Sequence, residues 1–415
     1  MTNLKKNVPE LRFPEFSGEW EEKKIKQLFK VVSGSTPLRS NSNYYENGNV
    51  PWVKTTDLNN TIITQTSEKV TEEAVQKLKL KLLPKNTLLI AMYGGFNQIG
   101  RTGVLKIQAT TNQAISALLE MGDTNSKFFQ AYLNFNVKKW HRVAASSRKD
   151  PNITKKDIEN FKIPNTSIKE QNKISDFFVK LDRQIELEEQ KLTLLEEQKK
   201  GYMQKIFSQE LRFKDDNGND YPEWTISKLG DLGTTFSGLS SKDKEDFGHG
   251  DAKFITYMNV FKNNIAKQKL TEKVNVKNNE KQNLVEYGDV LFTTSSEVPH
   301  EVGMSSVWLY EENVYLNSFC FGFRLNVNYI NSVYLSRVLR SQKMRKMITI
   351  LAQGSTRFNI SKKELMKLNI DIPSMEEQHK IIDFISNMDQ LIEKQFHKVD
   401  LLKQRKQGFL QKMFV

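Results

Sequence analysis

The strongest constraint on the fold of this chain is a repeat: residues 374–414 follow the pattern of residues 167–207 at a constant offset of 207 residues. Each copy opens on Ser-x-x-Glu, Ser167 with Glu170 and Ser374 with Glu377, a pairing whose hydroxyl and carboxylate can satisfy the exposed amides of a first helical turn. Apolar residues then recur at alternating steps of four and three: Ile174, Phe178, Leu181, Ile185, Leu192, Leu195, Tyr202 and Ile206. The second copy keeps the register with Ile381, Ile385, Met388, Ile392, Val399, Leu402, Phe409 and Met413. Such spacing lays one apolar seam along each helix, the pattern of a coiled coil. The seam lapses at matched places, Glu188 with Gln395 and Lys199 with Lys406, which favours duplication over two unrelated amphipathic helices. A helix of about 40 residues rising ~1.5 Å per residue is roughly 60 Å long, more than one globular core requires. Two such helices in register predict mutual packing. An antiparallel pair would make them a spacer with the rest of the chain divided between its ends.

The duplication extends beyond the helices. Glu10-Leu11-Arg12-Phe13 returns as Glu210-Leu211-Arg212-Phe213, and Trp20, Leu28 and Ser33-Gly34 return as Trp224, Leu232 and Ser237-Gly238. Trp52-Val53-Lys54-Thr55-Thr56-Asp57 lies over Phe254-Ile255-Thr256-Tyr257-Met258-Asn259, and Leu88-Leu89-Ile90 lies over Leu291-Phe292-Thr293. Ile99-Gly100 lies over Val302-Gly303, and Asn152-Ile153-Thr154-Lys155-Lys156 over Asn359-Ile360-Ser361-Lys362-Lys363. The offset drifts between these blocks, so the halves share a scaffold and differ in their loops. β-branched and aromatic runs at residues 50–53, 87–92, 103–107, 253–258 and 290–294 predict strands. Helical periodicity at residues 125–143 and 329–351 predicts helices. The expected fold is therefore mixed α/β (α+β), two globular domains with two long helices: residues 1–166, then helix 167–209, residues 210–373, then helix 374–415. The turn-rich segment 215–221, DDNGNDY, marks the boundary after the first helix.

Composition narrows the partners. Lys and Arg number 62 against 49 Asp and Glu, a formal net charge of +13, which draws such a chain to polyanions. A single cysteine, Cys320, rules out an internal disulfide framework and a multi-cysteine metal site; within its FCFGF run it reads as a buried strand residue. No apolar run approaches the ~20 residues of a membrane span, and the opening residues lack the apolar core of a secretion signal, so a cytoplasmic protein is expected. The glycine run at residues 94–103 lacks the Gly-Lys-Ser/Thr ending of a phosphate loop and the spacing of a dinucleotide fingerprint, and reads as a turn between strands. His141, His249, His300, His379 and His397 show no metal-ligand spacing. No catalytic motif emerges, and no metal or cofactor is expected on the chain itself.

The order globule, helix, globule, helix resembles the specificity subunit of type I restriction-modification systems. The resemblance rests on Pro164 with Glu170-Gln171 and its shorter partner Pro373 with Glu377-Gln378, on Pro51-Trp52-Val53 and Tyr257-Met258-Asn259, on Gly100 with Asn112-Gln113, and on the terminal Gln-Lys-Met-Phe. It covers nearly the whole chain. It implies two target-recognition domains, each reading half of a split double-stranded DNA site, held apart by an antiparallel coiled-coil pair. It also implies docking of adenine methyltransferase subunits that bind S-adenosylmethionine, and through them of restriction subunits that use ATP and Mg. Two other classes stand beside it: a stand-alone coiled-coil protein that bridges or organises DNA, and an enzyme with residues 94–103 as its ligand loop.

Arginine reaches guanine edges bidentately, and Asn or Gln does the same for adenine, so polar loop residues among basic ones are the candidate DNA contacts. In the first domain these are Lys54, Thr55, Arg101, Arg148 and Lys149; in the second, Tyr257, Asn259, Lys262, Thr356 and Arg357. The segments at 145–151, ASSRKDP, and 353–358, QGSTRF, precede the duplicated Asn-Ile-Thr/Ser and so occupy one structural place with different chemistry. On the helices, Glu186, Glu188, Glu189, Glu196 and Glu197 with Lys191, Lys199 and Lys200 form a solvated face or a docking face. Arg148→Ala and Arg357→Ala should each weaken selectivity for one half-site only in binding assays; loss at both half-sites from either change would indicate misfolding instead.

Overall fold

The computed structural model describes residues 7–145, 151–277 and 279–415. Both repeated stretches are single long helices, Ile168–Phe207 and Met375–Met413. Ser167 Oγ accepts the amide of Glu170 and Ser374 Oγ that of Glu377, each at 3.3 Å, so the hydroxyl half of the expected cap forms. The carboxylates are used elsewhere. Glu170 accepts from Arg12 Nε and Nη2 at 2.7 and 2.8 Å and from the Trp20 indole at 3.2 Å. Glu377 accepts from Arg212 Nε and Nη2 at 3.2 and 2.7 Å and from the Trp224 indole at 2.9 Å. Both carboxylates are buried, and burial of a carboxylate demands such charge-assisted partners.

The following glutamine completes the joint. Gln171 donates to the Thr166 carbonyl at 2.7 Å and accepts the Asn125 amide at 3.0 Å; Gln378 donates to the Pro373 carbonyl at 2.9 Å and accepts the Asn331 amide at 2.7 Å. Asn125 and Asn331 are themselves the N-caps of the helices Ser126–Phe135 and Ser332–Leu339. One Glu-Gln dipeptide thus fastens the Glu-Leu-Arg-Phe segment, a core tryptophan and the next helix to the start of each long helix.

By packing, the chain forms two compact units, residues 1–190 with 397–415, and residues 191–396. In the first, a sheet runs in the order Phe29–Ser33, Ile115–Glu120, Leu88–Ala91, Thr102–Leu105, Thr61–Ile63, antiparallel except for its last pair. Its strand Leu88–Ala91 is buried on both faces. Leu88 and Ile90 enter a core with Trp20, Phe128, Phe129 and Trp140, while Leu89 and Ala91 enter another with Val53, Leu58 and Ile115. This is the two-residue period of a strand. The second unit repeats it in the sheet Gly233–Ser237, Cys320–Leu325, Val290–Thr293, Ser305–Val307: Val290 and Phe292 face Tyr334 and Leu339, and Leu291 faces Trp308 and Val314. Cys320 is a buried strand residue, its thiol pKa pushed up by burial.

Three local expectations change. The strand expected at 253–258 stops at Ile255, because Thr256 Oγ1 accepts the Asn259 amide at 3.2 Å and starts the helix Tyr257–Lys262. The helix expected at 125–143 is divided at Asn136, whose side chain donates to the Tyr132 carbonyl at 3.0 Å. The helix expected at 329–351 is divided at Ser341, which caps Gln342–Ile350. The boundary segment folds on Asp215, whose Oδ1 accepts the amides of Asn217 and Asn219 at 2.9 and 2.7 Å while Gly218 takes a φ of 84°.

The seam residues divide between the units. In the first, Ile174 and Phe178 join Leu410, Met413 and Phe414 in the core around Trp20; Ile185, Val399 and Leu402 are buried and Leu181 is half-buried. In the second, Ile381 and Ile385 join Ile206 and Phe207; Met388 is buried, and Leu192, Leu195 and Ile392 are half-buried. Tyr202 departs from the expected seam: it is exposed, its ring lying 5.1 Å from Phe384, and Met203 turns inward in its place. A helix of 3.6 residues per turn drifts off a strict 3.5 repeat in this way.

Three of the four positions where the seam lapses hold ion pairs, and the fourth, Gln395, is a buried amide. Lys406 meets Asp182 and Glu188 meets Lys398 at 2.5 Å in the first unit; Lys199 meets Asp389 at 2.5 Å in the second. Numbering rises on one helix as it falls on the other, so the helices run antiparallel in each unit. Partly exposed pairs of this kind contribute only about 0.2–1 kcal/mol each, enough to favour one register but little toward overall stability. The start of the chain also docks on the second helix: the Leu11 amide donates to the Lys412 carbonyl at 2.8 Å, as the Leu211 amide does to the Lys205 carbonyl at 3.1 Å. Glu377→Ala would strand the Arg212 and Trp224 donors at a buried joint. Calorimetry should show a loss of about 2–4 kcal/mol, with Glu377→Gln milder because it keeps an acceptor.

Candidate nucleic-acid interface

In the first unit, Lys54 follows the strand Val50–Val53 and opens a turn stiffened by Asp57, whose carboxylate accepts the amides of Lys54 at 2.8 Å and Ser67 at 3.1 Å. Lys54 Nζ reaches Glu68 at 2.5 Å, and Arg39 reaches the same carboxylate at 2.6 Å. These two cations, Arg39 first, hold the Glu68 carboxyl below its usual range. Arg39 and Lys54 share the Glu68 carboxylate, and Asp57 adds a second negative charge at the same turn, so the local charge beside the half-buried Thr55 is balanced. Arg101 closes the hairpin between Leu88–Ala91 and Thr102–Leu105, its carbonyl accepting the Ala91 amide at 2.9 Å. The expected turn at 94–103 is this hairpin. Arg148 and Lys149 lie outside the described residues.

In the second unit, three candidates gather around a short sheet of Ser295–Ser296, Phe358–Ile360 and Ala352–Gln353. Tyr257 donates its hydroxyl to the Ser295 carbonyl at 2.6 Å, and Ser295 pairs in register with Asn359. Burial foremost raises the Tyr257 pKa, so the phenol stays neutral. Thr356 and Arg357 stand exposed on the turn between the other two strands. Gly354 permits that turn: its φ is 138°, and a Cβ there would lie 2.1 Å from the Arg357 carbonyl oxygen. The Arg357 guanidinium sits 5.2 Å from the centre of the exposed Phe319 ring, a platform that holds the fork while leaving its donors outward. Phe319 escaped the sequence reading because an aromatic beside a strand run normally belongs to the core.

Two candidates do not join this group. Lys262 is exposed at the end of its helix. Asn259 is only 1% exposed and is spent on the fold, donating to the Lys267 carbonyl and accepting the Lys267 amide, both at 2.9 Å. The structure withdraws Asn259 from base readout. Nearby arginines are likewise internal braces. Arg340 donates to the carbonyls of Val260, Phe261 and Asn263 at 2.9 to 3.1 Å, and Arg345 to those of Gly303 and His300 at 2.8 and 2.9 Å. Burial lowers both pKa values to about 10, leaving both cationic at neutral pH.

Asn259→Ala should therefore lower the melting temperature of the second unit, by about 1–3 kcal/mol in stability, without changing which sequence is selected. A changed selectivity at unchanged stability would reinstate Asn259 as a reader.

The family model described as "Type I restriction modification DNA specificity domain" matches this chain twice, at residues 17–197 and 221–401. The chain is 28% identical over 167 residues to the type I restriction enzyme EcoR124I/EcoR124II specificity subunit of Escherichia coli, a match over 40% of this chain and 41% of that subunit. It is 24% identical over 402 residues to the MjaVIII specificity subunit of Methanocaldococcus jannaschii, over 94% of this chain and 89% of the other. Its fold is similar to that of the type I restriction-modification S subunit from M. genitalium, with a TM-score of 0.58 and 15% identity over 98% of this chain and 99% of that one. Two matches of the domain model, together spanning most of the sequence, place the duplicated framework in one family: the chain belongs to the type I restriction-modification DNA specificity family.

Proposed function

We propose that this chain supplies the sequence specificity of a type I restriction-modification complex, each unit reading one half of a bipartite site in double-stranded DNA. The observation that carries the reading is the duplicated framework with divergent loops. The same Glu-Arg-Trp joint and the same doubly buried central strand recur in both units, while the connection between paired strands holds Tyr93-Gly94-Gly95-Phe96 in one and Ser296-Glu297-Val298-Pro299 in the other. Common scaffolds carrying different loops suit the reading of two different short sequences. The length of the long helices then sets the unread gap, with adjacent half-sites on one face of the duplex about 34 Å apart. Family membership leaves a stand-alone DNA-bridging role without support.

The chemistry belongs to partners in this reading. Adenine methyltransferase subunits bind S-adenosylmethionine, restriction subunits use ATP and Mg, and this chain catalyses nothing by itself. Each long helix keeps an apolar residue outside the seam for a partner to cover: Leu194 on one and Leu401 on the other, related by the 207-residue offset, are 56% and 48% exposed. The complex acts in the bacterial cytoplasm, on the nucleoid. Among the described residues no helix is long and apolar enough to cross a membrane.

The test is a genome-wide map of methylated adenines in cells expressing this chain with its adenine methyltransferase, against cells with the methyltransferase alone. A split motif with a fixed gap, present only with this chain, is expected; identical maps would refute the assignment. Adding whole turns to both long helices should lengthen the gap while leaving both half-sites unchanged. A gap that stays the same would refute the ruler role of the helices.

A further inference from the structure

The connection between Leu88–Ala91 and Thr102–Leu105 is built as a rigid mount for two aromatic side chains that the fold does not use. Its base is fixed on both sides. Met92 is buried, with its amide donating to the Ala114 carbonyl at 2.8 Å and its carbonyl accepting the Ile153 amide at 3.1 Å. Ile99 is buried, and Gly100, at a φ of 79°, lies so close to Trp140 that a Cβ would come within 2.9 Å of the indole. Between these anchors the chain reverses through Gly94 and Gly95, at φ 111° and 73°, and the amides of Gln98 and Ile99 both donate to the Gly95 carbonyl at 3.0 Å. Residues 93–97 are left exposed. Two of them are aromatic: Tyr93 is 43% and Phe96 47% exposed.

Charge around this tip identifies what it meets. Phe96 lies edge-on to His141 at 5.5 Å, which sets the tip beside the helix Val137–Ala145. On that helix Lys138 lies three residues before His141 and four before Arg142, so it is a surface neighbour of both, and Lys138 and Arg142 are exposed. With Arg101 at the hairpin base, these cations form no ion pair among the described residues. Exposed aromatic rings beside a helix carrying cations that form no ion pair among the described residues match a nucleic acid, whose phosphates neutralise the cations and whose bases offer π-faces. A protein partner would have to supply a matching set of carboxylates.

We infer that the tip at residues 93–97 is a wedge by which the first unit stacks Tyr93 and Phe96 against bases of its half-site. Arg101, Lys138 and Arg142 contact the flanking phosphates. The inference rests on the DNA-reading function proposed above and adds how one half-site is engaged: by base stacking and local distortion of the duplex, not by hydrogen bonds to base edges alone. The second unit carries Glu297 and Glu301 in the corresponding connection, so it does not engage its half-site this way.

The test uses the assembled methyltransferase complex and fluorescein-labelled duplexes carrying the mapped bipartite site, the site with its first half scrambled, or the site with its second half scrambled. The wild-type complex is measured first; if it distinguishes none of these duplexes, the proposed function falls and the wedge with it. With discrimination established, Tyr93→Ala/Phe96→Ala should lose about tenfold or more in affinity for the intact site. It should no longer distinguish that site from the duplex scrambled in the first half, yet still reject the one scrambled in the second. Phe96→Trp should retain wild-type affinity. 2-Aminopurine placed along the first half-site should brighten with the wild-type complex and stay dark with the double variant. Wild-type binding by the double variant would overturn the inference. So would unchanged 2-aminopurine emission, or failure of the double variant, at unchanged melting temperature, to assemble with the methyltransferase subunits, which would assign the tip to protein docking.

Discussion

A buried carboxylate at the start of each long helix is the interaction on which the rest of the structure depends. Glu170 and Glu377 have no access to water, so each must collect its partners from the protein, and the partners lie far away in sequence: Arg12 and Trp20 for one, Arg212 and Trp224 for the other. Removing any of them leaves a charge or a donor without a counterpart, a larger penalty than the gain from the pair. The clamp therefore fixes the direction in which a long helix leaves its globule. It also explains why the Glu-Leu-Arg-Phe segment is written twice: its arginine belongs to the joint and not to a nucleic-acid surface.

The basic excess of the chain is divided between such internal uses and the surface. Arg340 and Arg345, both half-buried, brace carbonyls inside the second unit, and burial lowers their pKa. Lys199 and Lys406 cross the helix pair to Asp389 and Asp182. Lys54 is tied to Glu68 and Arg101 is half-buried at a hairpin base, while Lys262 at a helix end and Arg357 over an aromatic ring stand exposed. A count of +13 shows only that a polyanion is attractive; the folded arrangement selects which cations are free to meet it.

The two units differ where the scaffold leaves room. A central strand buried on both faces tolerates little change in volume, and Leu88–Ala91 and Val290–Thr293 keep the same alternation into two cores. The connection that follows is solvent-facing and has diverged from an aromatic, glycine-turned tip to an acidic one in which Arg345 holds the His300 and Gly303 carbonyls. Specificity can then change in one unit without disturbing the joint, the seam or the other unit's core.

Much of this was legible in the sequence because it is periodic or local. The long helices follow from steps of four and three, the duplication from a constant offset, and the strands at 50–53 and 88–91 from β-branched runs. What the sequence could not disclose were choices made between distant residues. Glu170 fits a capping box as written, but the folded chain brings Arg12 and Trp20 to it, and a charged fork outcompetes the local amide. Asn259 has the chemistry of an adenine reader, yet tertiary packing buries it against Lys267. Residues 94–103 read as a turn, but that Tyr93, Phe96 and Phe319 stay exposed is visible only on the folded surface. The sequence by itself determined two globules, two long helices and their common ancestry, since hydrophobic period and repetition are properties of the chain. Which polar groups are consumed by the fold and which face a ligand was decided by tertiary structure alone, because burial and hydrogen-bond partnership exist only once residues far apart in the chain have met.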